Sequence, residues 1–233
     1  MLKLFTGILI SASTVLGTPA YAATFCVNSG SGLRAALETS ESNGADDVIQ
    51  IVAGVYSGSF DLIESFVFEG RAVTLEGGYA NGCMSRNPDP LNTVIESNGG
   101  KVLGLSACIL LSGCESGDFT FDAITLRGGI AREGGALTVF TAGSVTVSNS
   151  ILSGNRATEV DGGAVNVAFP LFSNVGPQSL TISDTEISGN SAAGDGGGAS
   201  RLTTFDRRRP ARLDESRSGA DGCDSGAALV SGV

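Results

Sequence analysis

The stretch SVTVSNSILSGNRA at residues 144–157 returns 35 residues later as SLTISDTEISGNSA at residues 179–192. The two align without a gap, and Gly162-Gly163-Ala164 behind the first copy keeps the same spacing to Gly197-Gly198-Ala199 behind the second. A weaker copy, DFTFDAITLRGGIA at residues 118–131, precedes Gly134-Gly135-Ala136. The extra length of the middle copy falls mainly between Ala164 and Ser179, where residues 169–177 read as an inserted loop. Insertions confined to one connection are what stacked repeats tolerate, because each unit contacts only its neighbours.

The grain of each unit is that of a strand. Val145 and Val147 alternate with Thr146 and Ser148, and Leu180 and Ile182 with Thr181 and Ser183. That is a period of 2 rather than 3.6. Ile151-Leu152-Ser153 reads as a second short strand and residues 164–167 as a third, with glycine-rich corners between them. Three short strands per turn predict an all-β chain wound as a parallel β-helix, in which stacking neighbours buries an apolar face that no single turn can bury alone. In that arrangement Asn155 and Asn190 stand above one another at a corner, where stacked amides bond to each other and to backbone as a ladder. This structural role is preferred over ligand binding for both residues.

Upstream, Leu33, Ala36 and Leu37 lie at helical spacing within residues 31–43. Ser31 is the expected N-cap of a short capping helix that covers the first, otherwise unpaired strand edge. Residues 47–56 read as strand, glycine turn, strand, and Val73-Thr74-Leu75 as another strand before Gly77-Gly78. The expected organisation is a signal peptide at 1–22, a cap with the first coils at 23–110, β-helix repeats at 111–200, and an irregular tail at 201–233.

The first residues carry the export expectation. Met1 and Lys3 open the chain, an apolar run covers residues 4–16, and Ala20-Tyr21-Ala22 has the small-x-small form of a cleavage site, placing the cut after Ala22. That run is shorter than the ~20 residues a bilayer requires, and no later segment reads as a transmembrane span. The remainder is rich in glycine, with 34 in all, and 42% hydrophobic, which favours many tight turns over disorder. The net charge of −10 speaks against nucleic acid and anionic lipid as partners and is read by default as keeping an exported chain soluble; the expected partner of a surface scaffold is a surface protein or a carbohydrate. There is no His, and the five cysteines form no CxxC pair, so zinc is unsupported and disulfides are expected in an exported chain. Cys108 and Cys114 can close a small loop and Cys26 and Cys83 can pin the cap, with connectivity open and Cys223 left over.

Gly134-Gly-Ala-Leu137 and Gly162-Gly-Ala-Val165, alternating with Leu152-Ser-Gly-Asn155 and Ile187-Ser-Gly-Asn190, resemble the boxes of the polymorphic outer-membrane protein family. That family carries GGA-[ILV] and Phe-x-x-Asn boxes; here an aliphatic residue replaces Phe. The resemblance covers residues 118–199. It implies a right-handed parallel β-helix displayed on the bacterial surface or outer membrane, an adhesin-like or autotransporter-passenger-like role, and a parent protein with a C-terminal translocator or anchor. The leading half resembles the start of exported β-helix repeat proteins, including the Gly-Gly-Tyr…Cys run at residues 77–83.

After Ser200 the pattern stops, and arginines crowd residues 201–212. The break within a repeat, the change in composition and the odd Cys223 are read as loss of the coding frame in a longer parent. An enzyme is the alternative, since parallel β-helices also host pectate-lyase-like and glycosidase chemistry. Its candidate acids are Asp184 with Glu186 and Asp118 with Asp122, read here as solvated surface carboxylates. No catalytic residue and no cofactor is assigned. Asp161 and Asp195, beside the glycine runs, are weak calcium candidates, and ordinary turn aspartates are preferred.

Overall fold

A computed structural model describes residues 22–62, 69–109, 113–159, 162–169, 179–194, 197–203 and 228–230. For 108–109, 113–114, 169, 200–203 and 228–230 it describes the backbone alone. The expected signal peptide up to Tyr21, the core of the expected inserted loop (170–178), Asp161, Asp195 and Cys223 lie outside the described residues.

The described residues open with β1 (Ala23–Val27), which begins at the residue after the expected cleavage point, and α1 (Gly30–Ser40). It then makes a first pass through β2 (Asp47–Val52), β3 (Gly54–Ser57) and β4 (Phe60–Asp61). The second pass is β5 (Val73–Tyr79), β6 (Thr93–Glu96) and β7 (Leu103–Ser106), followed by a hairpin of β8 (Cys108–Ile109) and β9 (Gly113–Cys114). The third is β10 (Phe119–Asp122), β11 (Thr125–Arg127), β12 (Ile130–Ala131) and β13 (Leu137–Phe140). The fourth is β14 (Val145–Ser148), β15 (Ile151–Ser153), β16 (Arg156–Ala157) and β17 (Val165–Phe169). The fifth is β18 (Leu180–Ser183), β19 (Thr185–Ser188), β20 (Ser191–Ala192) and β21 (Ala199–Thr203). β22 (Ala228–Val230) adds antiparallel to β19.

Corresponding strands of successive passes pair in parallel. The first sheet runs β1-β2-β5-β10-β14-β18, the second β22-β19-β15-β11-β6-β3, the third β21-β17-β13-β7-β4, and β12-β16-β20 form a small fourth. The architecture is therefore mostly β, with parallel sheets and one helix, and each pass visits the sheets in the same order. The two-residue strands β12, β16 and β20 add a fourth segment to the three expected per turn.

Period-2 alternation sends one row of side chains from strands of the three main sheets into a common core. In the first sheet Ile49, Leu75, Phe121 and Val147 share a buried row. In the second, Tyr56, Ile95, Leu126, Leu152 and Ile187 do, and in the third Phe60, Leu103, Leu137 and Val165. All of these belong to one cluster.

Helix α1 stands between β1 and β2, both strands of the first sheet, where later passes have their second- and third-sheet strands. Leu33, Ala36 and Leu37 enter the core with Val27, Ile49 and Ile51, as their spacing predicts. Arg34 lies over the Phe60 ring at 5.8 Å and bonds the Ser59 carbonyl. The cap residue is Ser29, not Ser31: Ser29 is extended and its Oγ accepts the Gly32 N–H at 3.1 Å, while Ser31 lies within the first turn. The helix stops at Ser40, short of Asn43, whose side chain instead bonds Ala45 N–H and Asp47.

The register locates the insertion. Leu137 pairs with Val165, 28 residues on, whereas Val145 pairs with Leu180, 35 residues on, so the added length lies between β17 and β18. One alignment is corrected at the last glycine box. The repeat sets Ala199 against Ala164, but the sheet pairs Ala199 with Val165, one residue out of step. A glycine run lacks the Cβ contacts that hold register, so the strand can slip by one residue, which exchanges the two faces. The slip sets Arg201 against Val167 in the backbone register.

Candidate functional site

The corners are held by the repeat residues. Asn155 is buried, and its Oδ1 accepts the Gly129 N–H at 2.9 Å while its Nδ2 donates to Leu126 O and to Asn190 Oδ1. Asn190 Oδ1 also accepts the Asn155 N–H, and Asn190 Nδ2 donates to Leu152 O at 2.8 Å. Each amide thus bonds backbone of the preceding pass, and the two amides bond each other. The ladder ends at Gly129, which holds the equivalent place in the weaker copy. A second corner row escaped the sequence reading: Ser150 Oγ accepts Ile124 N–H, and Thr185 Oγ1 accepts Ser150 N–H. Their alignment in the repeat was the available signal.

The glycine boxes serve close approach of backbones. Gly134 has φ +51, and a Cβ on Gly135 would lie 2.6 Å from Arg156 N. A Cβ on Gly163 would lie 2.4 Å from both Gly197 O and Ser191 O. Ala136 and Ala164 are fully buried.

The most regular outward surface is that of the first sheet. Thr74, Thr120, Thr146 and Thr181 form one row across four strands, and Glu76, Asp122, Ser148 and Ser183 a parallel one. Strand spacing sets rungs about 4.8 Å apart and the two rows about 6.7 Å apart, a polar grid on a sheet face.

Arg86 closes one edge of this grid. Between β5 and β6 the chain leaves the sheets, passes Cys83, disulfide-bonded to Cys26 of β1, and turns back at Arg86. Arg86 Nε donates to Gly77 O at 2.9 Å, Nη2 meets Asp122 Oδ2 at 2.5 Å, and Nη1 stands 3.6 Å from Glu76 Oε1. The guanidinium lies 5.5 Å from the Tyr79 ring centre, and Tyr79 OH donates to Glu76 Oε2. Asp122 Oδ1 also accepts from Ser148 Oγ at 2.6 Å and Asn149 Nδ2 at 2.8 Å. Burial works against ionising Asp122, but the bonds from Ser148, Asn149 and Arg86 outweigh it and hold the carboxyl below its ordinary range. Tyr79 is pushed up, first by burial and then by Glu76.

Asp122 is therefore a clasp between passes, ionised and occupied on both oxygens. A lowered folded-state value contributes stability that is present above the unfolded value and lost as pH falls through the folded one. Asp122→Asn is expected to cost about 1–2 kcal/mol near neutral pH and clearly less near pH 3, read from urea unfolding at the two pH values. An equal cost at both would exclude this role.

The other candidate acids are dispersed. Asp118 accepts the Ser144 N–H at 2.6 Å in front of β10, and Asp122 ends that strand. Four residues of strand separate them by about 13 Å, outside the ~5–9.5 Å of paired glycosidase carboxylates. Asp184 occupies the corner at φ +47, in step with Asn149 at +46, and Glu186 faces outward on β19, accepting from Ser188 Oγ at 2.7 Å. Cys108 stands opposite Cys114 in the β8–β9 hairpin backbone. No family model, curated protein or solved structure matches the chain in comparisons with known proteins.

Proposed function

We propose that the chain is an exported right-handed parallel β-helix that serves as a binding scaffold on a bacterial surface, adhesin-like and without catalytic activity. The observation that carries this reading is the in-register return of the first sheet over four successive passes, which projects the Thr and the Glu–Asp–Ser rows outward as one repeating polar face. Further support comes from the Asn155–Asn190 ladder, the Cys26–Cys83 bridge and the start of β1 at the residue after the expected cleavage point. The resemblance to the polymorphic outer-membrane proteins points the same way. The partner is a surface protein or carbohydrate polymer, with the insertion between β17 and β18 as a second contact segment.

The test is retention of the purified chain on immobilised carbohydrates and surface-protein extracts, with parallel assay for released unsaturated uronides and reducing ends, with and without calcium. Retention without release is expected. Product release that Asp184→Asn or Glu186→Gln abolishes would establish a polysaccharide-active enzyme instead.

A further inference from the structure

One carboxylate stands where the fold places hydrocarbon. The row Ala23, Asp47, Val73, Phe119, Val145, Leu180 crosses the first sheet, and in β2 the inward positions are Asp47, Ile49 and Ile51. Asp47 is 1% exposed. Its Oδ1 accepts from Asn43 Nδ2 at 2.8 Å, but among the described residues its Oδ2 has no hydrogen-bond partner. Ser40, the last residue of α1, faces the same carboxyl; it is 0% exposed and among the described residues its Oγ is also without a partner. Two buried polar atoms are thus left open side by side, at a cost of about 1–3 kcal/mol each if they stayed so.

The charges facing Asp47 have its own sign. Among the described residues, Glu69, preceding β5, and Asp46, its chain neighbour, are the charged groups that act on it. Both are held by backbone, Glu69 Oε1 by Gly44 N–H and Asp46 Oδ1 by Ala72 N–H. The strands flanking Asp47 offer Ala23 and Val73, which carry no charge. Among the described residues no group of three or more His, Cys, Asp or Glu side chains is placed to hold a metal ion. A buried carboxylate without a cation is neutralised most cheaply by a proton.

We propose that Asp47 takes up a proton in the folded protein and donates it from Oδ2 to Ser40 Oγ, making the N-terminal cap a latch that tightens on acidification. One proton is taken from solvent, and one O–H···O bond then joins the end of α1 to the start of β2, supplying the partner that both atoms lack. Burial first, then Glu69 and Asp46, raise Asp47 above the ordinary carboxylate range, against the opposing proximity of Asn43 and Ser40. With the folded-state value raised, the contribution is full in acid and lost as pH rises through the folded value. This sign is opposite to that of Asp122.

Asp47→Asn places a permanent N–H donor at the same position. Thermal unfolding of the wild type and D47N between about pH 4 and about pH 8 is expected to show midpoints that agree in acid. The variant should gain a lead of a few degrees as pH rises. The Asp122 contribution cancels in the difference. A gap that does not change with pH, or one that moves against D47N at high pH, would overturn the latch. Should D47N not fold, the wild type still decides: the Asp47 carboxyl 13C resonance should titrate above 3.8, and a midpoint at or below that value overturns the proposal. Calcium chloride that stabilises the wild type at high pH but not D47N would show a cation in place of the proton, and would equally overturn it.

Discussion

Asn155→Ala is expected to lower the unfolding free energy by about 2–4 kcal/mol. The substitution leaves Gly129 N–H, inside the stack, without its partner at a cost of about 1–3 kcal/mol, and removes the side-chain bond to Leu126 O, which keeps its place in the β11–β15 ladder. Asn190 loses its neighbour as well, so its own Oδ1 keeps one donor where it had two. Asn190→Ala should cost less, since that residue is only half-buried and its position lies in the last described pass. The double variant should lose less than the sum of the single losses, because residues in one hydrogen-bond network couple. Urea unfolding of the three variants measures all of this. Additive losses, or a loss under about 1 kcal/mol for Asn155→Ala, would mean that the amides are solvated and carry no ladder.

Gly135→Ala is expected to be at least as damaging, at about 4 kcal/mol or more. The new Cβ would meet Arg156 N at 2.6 Å and two carbonyl oxygens, of Arg156 and Gly129, at 2.8 Å. All three are backbone atoms of neighbouring strands and corners, so relief requires moving a whole pass rather than turning a side chain. Gly154→Ala is the control. Gly154 has φ +63 but nothing within 4 Å of its Cβ position, so only the left-handed backbone resists, at about 1–2 kcal/mol. Equal losses at the two sites would show that backbone conformation, not packing between passes, selects glycine in these boxes.

How much of this is legible in the residues depends on whether the interaction repeats. The strands at 145–148, 151–153 and 180–183, the corner asparagines and the buried face of α1 follow from alternation, spacing and alignment alone. Every pass meets the same neighbours above and below, so the pattern of one copy reports the environment of the next. The Ser29 cap was missed for a local reason. Two serines flank Gly30, and the choice between them rests on which one stays extended, a property of how the chain leaves β1.

The contacts around Arg86 do not repeat. Arg86 bonds Asp122 across 36 residues, from an excursion that only the second pass makes, so no periodicity announces it. Asp47 is hidden in the same way: it opens the stretch read as a strand, and only pairing with Ala23 and Val73 shows that its row points inward. The slip at Ala199 is a third case, since a run of glycines carries no side chain to declare its register.

The sequence by itself determined that this chain is built from repeated short strands with glycine and asparagine corners, because period and spacing are local quantities fixed by backbone geometry. The tertiary structure alone decided which carboxylates are clasped, which one is buried, and which strand slips. Those outcomes depend on contacts between residues far apart in the chain, where burial and partner, rather than residue type, set the energy.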